Sequence, residues 1–540
     1  MKKFIALAIL LSALVCCKTR NPDERPNILL IVADDLGYSD IGCYGGDIRT
    51  PNIDLLAQNG LRFSRFHTSP LCAPTRAMIL TGQNNHVAGM GSQGGVRPSS
   101  PVYGQPGYEA RLSDRVVPVP ALLKEAGYHT YIAGKWHLGK REEDSPKSKG
   151  FERSFNLLQG AGNHFNNIGI EANDTLSAYR QDGALVDYPD GKYSTELYTD
   201  KLMEFIKGDA GSGKPFFAFA AYTSPHWPLQ VPDDYLNKYR GAYDMGYDSL
   251  RVLRFESLKR VGMIPPDAVL PPRLASITPW QNLTTEEQKI EARKMELYAA
   301  MVENLDYHIG RLLEFLKDEN LYDNTIVIFL SDNGAAPNDF YNEDWSKDFL
   351  RKKYDNSYEN MGKVSSFVSY GPQWAQAGAA PFNRFKGYTT EGGMNTPFII
   401  SGKGIPSSKE IRDVYFTLVD LAPTFYDWAG IQYPGTLGTE KTRPLLGASI
   451  APYLMSQQSF IHDEQYGFGL EHGNRSFYRK GDWKIVMLNE PYVEENMQLF
   501  NIANDLGETE DLSKAQPQKF RELLDDWQQF IAENNIIISR

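Results

Sequence analysis

Short apolar runs recur along the chain, and each ends in a polar cluster. "NILLIVADD" ends in Asp34 and Asp35, the run in "YHTYIAGKWHLG" ends in Lys135 and His137, "KPFFAFAAYTSPHWP" ends near His226, and "NTIVIFLSDNG" ends in Asp332 and Asn333. Runs this short and this continuously apolar predict strands buried on both faces, as in a parallel sheet. Between the last two, Tyr298, Met301, Val302, Leu305, Ile309 and Leu312 recur at the spacing of a helix with one apolar face. Strands alternating with helices predict an α/β fold built on a mostly parallel sheet covered on both sides. Such sheets bind ligands beyond the carboxyl ends of their strands. The four runs therefore bring Asp34, Asp35, Lys135, His137, His226, Asp332 and Asn333 to one rim.

The pattern changes near the carboxyl terminus. "RSFYRKGDWKIVML" has two extended runs about Gly481 and Asp482, a hairpin signal. "NMQLFNI" adds a further strand, and "PQKFRELLDDWQQFIAEN" reads as an amphipathic helix.

Length and composition set the scale. A chain of 540 residues with 41% hydrophobic residues buries a large core, enough for one large domain plus a smaller one, or for two domains. A net charge of −11, with no Lys/Arg-rich run, argues against a nucleic-acid partner, because a phosphate backbone must be met by a basic face. A local basic pocket for a small anion is compatible with both facts. The first residues, "MKKFIALAILLSALVCCK", place two lysines before an apolar stretch too short to span a membrane, the order of a secretory signal over residues 1–17. Export follows, to the periplasm or the outer membrane of a Gram-negative bacterium. "LVCCK" also resembles a bacterial lipoprotein box, with Cys17, or else Cys16, as the lipidated residue. It departs from that pattern in having a cysteine before Cys17, where Gly, Ala or Ser is usual. The alternative is plain cleavage and a soluble periplasmic protein.

Only Cys43 and Cys72 lie beyond this leader, and in an exported protein they either pair or serve chemistry. In "LCAPTRAMILTG", Pro74 suits the first position of a helix and Gly82 its end. Cys72 then stands just before a helix N-terminus, where free N–H groups favour an anion. Asp34, Asp35, Asp332 and Asn333 are hard oxygen donors that suit Ca2+ or Mg2+ better than zinc. Arg76, Lys135, His137 and His226 add positive or proton-donating groups, so the site suits a phosphate or sulfate ester. Taken singly, each cluster reads more readily as a turn, a cap or a stiff loop; it is their repetition at strand ends that points to a site.

"CAPTRAMILTG" and "GKWHLG" together resemble the two signatures of the formylglycine-dependent sulfatases of the alkaline-phosphatase superfamily, most like their bacterial arylsulfatase branch. The likeness continues through "RPNILLIVADDLGYSDIG", "AAYTSPHWPLQVP", "SDNGA", "NRFKGYTTEGG", "GDWKIVML" and "QLFNIANDLGETEDL". It implies a large mixed sheet between helices over residues 26–440 and a small C-terminal unit, an antiparallel sheet with a helix, over 441–540. It also implies that a formylglycine-generating enzyme, reading Pro74, Thr75 and Arg76, converts Cys72 to formylglycine, whose aldehyde hydrates to a diol. Asp34, Asp35, Asp332 and Asn333 would ligate one Ca2+ together with an oxygen of residue 72. Arg76 would hold the diol, while Lys135, His226 and Lys386 contact the sulfate or the leaving oxygen. Asp332 would help one hydroxyl to attack sulfur, His226 would protonate the departing alcohol, and His137 would take the proton from the other hydroxyl as sulfate leaves. Met394 and Asn395 stand where the family often has a hydrophobic residue followed by Arg.

Two other function classes stand beside this one. A phosphatase or phosphonate monoester hydrolase of the same superfamily would show further Asp/His ligand motifs, and "SDNG" lacks the histidine of "SDHG". A non-catalytic glycan-binding surface lipoprotein would require losses among the named residues, and all of them are present. An exported enzyme of this kind meets sulfated sugars, so a sulfated glycan is the expected physiological substrate, with aryl sulfates also turned over. His86 in "NNHVAGMG", and Asn163 and His164 in "GAGNHF", are the expected pocket-lining residues, since both stretches are glycine-rich and polar; ordinary turn chemistry is the alternative.

Overall fold

The computed structural model describes residues 25–538 apart from 172, 173, 345 and 490. The expected leader and the Cys16–Cys17 pair lie outside these residues. The four apolar runs form the strands Asn27–Ala33, His129–Lys135, Phe216–Ala221 and Thr325–Ser331 of a ten-stranded sheet. Across the sheet the order is Ile411–Arg412, Gly60–Phe63, Phe398–Gly402, Thr325–Ser331, Asn27–Ala33, Phe216–Ala221, His129–Lys135, Arg153–Leu157, Tyr179–Gln181 and Ala184–Val186. The five strands from Thr325–Ser331 to Arg153–Leu157 are mutually parallel. Phe398–Gly402 on one side and Tyr179–Gln181 on the other pair antiparallel, which makes the sheet mixed.

Alternation explains the unbroken apolar runs. Leu29, Ile31 and Ala33 enter one core layer while Ile28, Leu30 and Val32 enter the other. Each fully buried aliphatic side chain contributes roughly 1.5–3 kcal/mol, so the central strand is stabilised from both faces. The first layer is covered by Ser194–Asp209 and by Thr285–Asp318. The latter helix is started by a capping box between Thr284 and Glu287, and it buries all six residues of the predicted apolar stripe. Cys72–Ile79 and Leu421–Ala429 cover the second layer.

The helix at Cys72 begins earlier than its proline suggests. Leu71 is the N-cap, Cys72 the first helical residue, and Pro74 stands in the first turn, where a missing N–H leaves no intrahelical bond unmade. Cys72 is therefore inside the helix and not ahead of it. Gly82 follows the helix end at φ 65°, its N–H bonded to the Met78 carbonyl. Cys43 and Cys72 are both free thiols, which removes the disulfide alternative.

The C-terminal elements form as the pattern indicates. Gly467–His472, Arg475–Lys480, Trp483–Met487 and Gln498–Asn501 make a four-stranded antiparallel sheet, and Pro517–Glu533 packs on it through Leu523, Trp527 and Phe530. The opposite face, through Phe468, Leu470, Phe477, Val486 and Phe500, joins the second core layer of the large sheet. Residues 443–454, beyond the expected boundary at 441, still cover the large domain: Leu446 N–H bonds Gly82 O, and Ile450 N–H bonds Thr424 Oγ1. The seam is closed by a fully buried charge cluster. Lys484 Nζ lies 2.8 Å from both Glu391 Oε1 and Glu508 Oε1, and His67 Nε2 lies 2.6 Å from Glu391 Oε2.

Candidate active site

Parallel register brings the strand ends level. Ala33 pairs with Ser331 and Val32 with Ala221. The next residues are tied across the gap, Asp332 N–H to Ala33 O at 3.0 Å and Asp34 N–H to Ser224 O at 3.1 Å. Lys135 closes the neighbouring strand, and Nζ donates to both oxygens of Asp34 at 2.8 and 3.0 Å. Arg76, projecting from the Cys72–Ile79 helix, donates to Asp332 Oδ2 at 2.8 and 3.1 Å and to the Lys135 carbonyl at 3.1 Å. Lys386 Nζ and Asn333 Nδ2 both reach Asp35 Oδ1 at 2.6 Å. His226 Nε2 faces Asp35 Oδ2 at 3.3 Å, and His137 Nδ1 faces Cys72 Sγ at 3.5 Å. The structure thus gathers Cys72, Arg76, Lys135, His137, His226, Asp332, Lys386, Asp34, Asp35 and Asn333 at one place.

This cluster is buried and held under strain. Asp35 and His137 adopt φ of 67° and 59°, in the left-handed region that non-glycine residues seldom enter and that recurs at functional sites. The His137 ring packs so closely on Gly160 that a Cβ at 160 would lie 2.5 Å from it, which explains a glycine there. Burial, then repulsion from Asp332, pushes Asp34 up to about 8 despite Lys135. Burial also acts on Asp35, but Lys386, His226 and Lys135 outweigh it and hold Asp35 down at about 2. Burial and the surrounding cations push His137 well below the ordinary imidazole value, and burial pushes the Cys72 thiol up. His226 is also pushed down by burial, against the pull of Asp35. Its Nδ1 lies 2.7 Å from the Trp227 carbonyl, a contact that orients the ring with Nε2 inward.

The donor set fits a divalent cation. Asn333 Oδ1 and Asp35 Oδ2 are buried without a hydrogen-bond donor. Ligand atoms of Asp34, Cys72 and Asp332 lie within 4.8 Å of one another, as do those of Asp34, Asp35 and His226. Crowded carboxylate and amide oxygens are the environment of Ca2+ or Mg2+.

Cys72, His137, His226 and Lys386 line a cavity of about 690 Å3, shared with Trp227, Phe340, Lys140, Asp174 and His472. The three expected pocket residues are elsewhere. His86 is fully buried between Asn84 Oδ1 and Glu471 Oε2, at 3.1 and 3.0 Å. Asn163 Nδ2 is spent on the Val364 carbonyl at 2.8 Å. His164 lies behind His226, between Ser194 Oγ at 2.7 Å and the His226 carbonyl at 3.2 Å. The correction has one physical reason: a polar side chain in a glycine-rich loop is as readily turned inward onto a buried partner as outward to a ligand. His472, Trp227 and Phe340 were missed as pocket residues. For His472 the signal was "HGNR", a two-residue turn between extended runs that sets His472 at a strand end. Asn395, in the stretch that departs from the family pattern, bonds Ser64 O through Nδ2 at 3.1 Å and does not line the active-site cavity.

Three carboxylates, Asp34, Asp35 and Asp332, meet three cations, Arg76, Lys135 and Lys386, and cations gathered beside a divalent-ion donor set suit an ester whose acid part is a compact oxyanion. The fold and site therefore define a hydrolase of small oxyanion esters. A family model described as Sulfatase matches residues 26–431. The chain is 42% identical over 433 residues to an arylsulfatase of Klebsiella aerogenes, covering 79% of this chain and 92% of that protein. It is 40% identical over 527 residues to an uncharacterised sulfatase of Schizosaccharomyces pombe, covering 95% of each. Among solved structures, Ps i-CgsB in complex with k-i-k-neocarrahexaose superposes with TM-score 0.66 at 24% identity, over 94% of this chain and 93% of that one. A second, in complex with its substrate D-glucosamine-2-N,6-O-disulfate, gives TM-score 0.60 at 20% identity, over 95% and 98%. The chain belongs to the sulfatase family and is a sulfuric ester hydrolase on an alkaline-phosphatase-like fold.

Proposed function

We propose that this protein is an exported sulfatase that releases inorganic sulfate from a sulfated glycan, using a formylglycine formed at position 72 and one Ca2+. The observation that carries the reading is the meeting of Cys72 Sγ with the carboxylates of Asp34 and Asp332, beside Asp35 and Asn333, each of which keeps one oxygen buried and undonated, among Lys135, Lys386 and Arg76. Asp34, Asp35, Asp332 and Asn333 would hold the ion. When bound, the ion polarises the ester's sulfate oxygens, and the modified side chain supplies a hydroxyl as nucleophile.

The chain's own residues do the remaining work. Cys72 Sγ marks the position of an oxygen of the hydrated aldehyde, and His137 Nδ1, at 3.5 Å, is placed to take a proton from it. Lys135 and Lys386 present ammonium groups to the sulfate, and Arg76 fixes Asp332 with two charge-assisted bonds. His226 turns Nε2 toward the leaving oxygen and donates from its doubly protonated form, with Nδ1–H on the Trp227 carbonyl and the second proton on Nε2 beside Asp35. Maturation calls on a formylglycine-generating enzyme, supported by the intact Cys-Ala-Pro-Thr-Arg sequence. Export, with Cys17 or Cys16 as a lipid attachment point, is supported by residues 1–17. The glycan assignment is supported by a cavity much larger than a sulfate ion and by the k-i-k-neocarrahexaose and the D-glucosamine-2-N,6-O-disulfate bound to the two similar solved structures.

The test compares sulfate with phosphate release from matched 4-nitrophenyl esters, with peptide mapping of residue 72 in active protein from a host that carries the modifying enzyme. Sulfate release should dominate, residue 72 should carry the aldehyde mass, and Cys72→Ala should be nearly inactive yet folded. Active enzyme bearing only free thiol, or near-native rates in Cys72→Ala, would remove the nucleophile from the scheme.

A further inference from the structure

The cavity above the sulfate site is walled by two separate units. Most of its lining comes from the large domain, but His472 is the last residue of the Gly467–His472 strand of the C-terminal sheet. Gly473 and Asn474 turn the hairpin with φ of 59° and 62°, both left-handed, as a two-residue type I′ turn requires. This fixes His472 opposite Arg475 at the hairpin tip.

The tip is braced on both flanks. Glu471 Oε2 takes His86 Nε2 at 3.0 Å, Glu471 Oε1 accepts from Asn474 N–H at 2.6 Å, and Asn85 Nδ2 donates to the Glu471 carbonyl at 3.3 Å. Arg475 Nη1 donates to the Gly387 carbonyl at 2.7 Å, next to Lys386, and its guanidinium lies 4.1 Å from the centre of the Tyr388 ring. So rigid a mount holds a side chain whose own Nε2 is buried and has no hydrogen-bond partner. Trp227 Nε1, in the same cavity lining, is in the same condition. Burial pushes His472 down to about 4, so its ring is neutral at neutral pH, with one N–H and one bare nitrogen.

From these observations we infer that His472 is a specificity-determining residue, contacting a hydroxyl of the alcohol part of the ester and favouring polyhydroxylated over plain aryl substrates. The inference rests on the sulfatase reading above. A hydroxyl is the natural partner because it both donates and accepts, and so satisfies either tautomer of a neutral imidazole. Trp227, packed edge-on to Phe340 with ring centroids 4.5 Å apart, supplies an apolar aromatic surface for the face of a sugar ring.

The experiment measures kcat/KM on 4-nitrophenyl sulfate and on a panel of monosulfated hexoses for wild type, His472→Ala and His472→Gln, with a thermal melt of each. In His472→Ala the best hexose should lose about tenfold while the aryl ester changes less than about twofold, and His472→Gln should recover part of the loss. A purely structural role would lower both substrates together, and that outcome overturns the inference, as does an unchanged ratio in either variant. Wild type that hydrolyses only the aryl ester also overturns it and leaves the sulfatase reading standing. Release from neither overturns both.

Discussion

Replacing His226 by Ala tests the assignment of the general acid. The ring is 4% exposed, hydrogen-bonded through Nδ1 to the Trp227 carbonyl at 2.7 Å, and placed with Nε2 3.3 Å from Asp35 Oδ2. Its removal strips no buried carboxylate of its last partner, because Asp35 keeps Lys386 and Asn333 at 2.6 Å. The folding loss should then be the hydrogen bond and the ring packing, on the order of 1–3 kcal/mol. Rate should suffer more. Proton donation to a leaving group is worth about 10²–10⁴-fold, or ~3–5 kcal/mol of barrier at 1.36 kcal/mol per tenfold. That contribution depends on the leaving group, since 4-nitrophenolate departs without a proton and a sugar alkoxide does not. The assay is kcat/KM for 4-nitrophenyl sulfate and for a sulfated hexose in wild type, His226→Ala and His226→Gln, with melts to confirm folding. We expect a loss of about 10²–10⁴ on the hexose and less than about tenfold on the aryl ester. Equal losses on both would mean that His226 positions the site and transfers no proton.

Chelation should inactivate the enzyme and Ca2+ should restore it, because the proposed ligands Asp34, Asp35, Asp332 and Asn333 all offer oxygen; restoration by zinc alone, measured by sulfate release, would bring His226 and Cys72, which lie within reach of the same carboxylates, into the ligand set and overturn that assignment. Lys484→Met should destabilise the protein by about 3–5 kcal/mol, because Glu391 and Glu508 would face each other buried and without their shared cation; an unchanged denaturant midpoint would disprove the clamp. Burial holds His164 at about 4 in the native state, below the ordinary value near 6.5, so between these values the unfolded chain binds a proton that the native chain does not. The penalty is absent above about pH 6.5, grows as pH falls, and levels off near 4 at roughly 3 kcal/mol. Denaturant unfolding from pH 7.5 to 4 should therefore show a shallower loss in His164→Asn than in wild type, and parallel curves would refute it.

The sequence by itself determined where the reacting groups emerge. In a parallel sheet every strand presents its carboxyl end at the same edge, so the polar residue that ends an apolar run has its position set by purely local pattern. Asp34, Lys135 and Asp332 were legible for that reason, and the Gly481–Asp482 hairpin for a similar one. Tertiary structure decided which loop residues face the cavity. His86 looked like a ligand contact because its loop is polar, yet its partner is Glu471, 385 residues away, and no local signal announces that bond. Asn163 and His164 turn inward on Val364 and Ser194 in the same way. His472 reaches the cavity only because the C-terminal sheet packs its apolar face onto the second core layer and Lys484 locks the seam. Strand ends are fixed by repetition along the chain, whereas the direction of a loop side chain is fixed by the nearest buried partner, and that partner is brought near only by the fold.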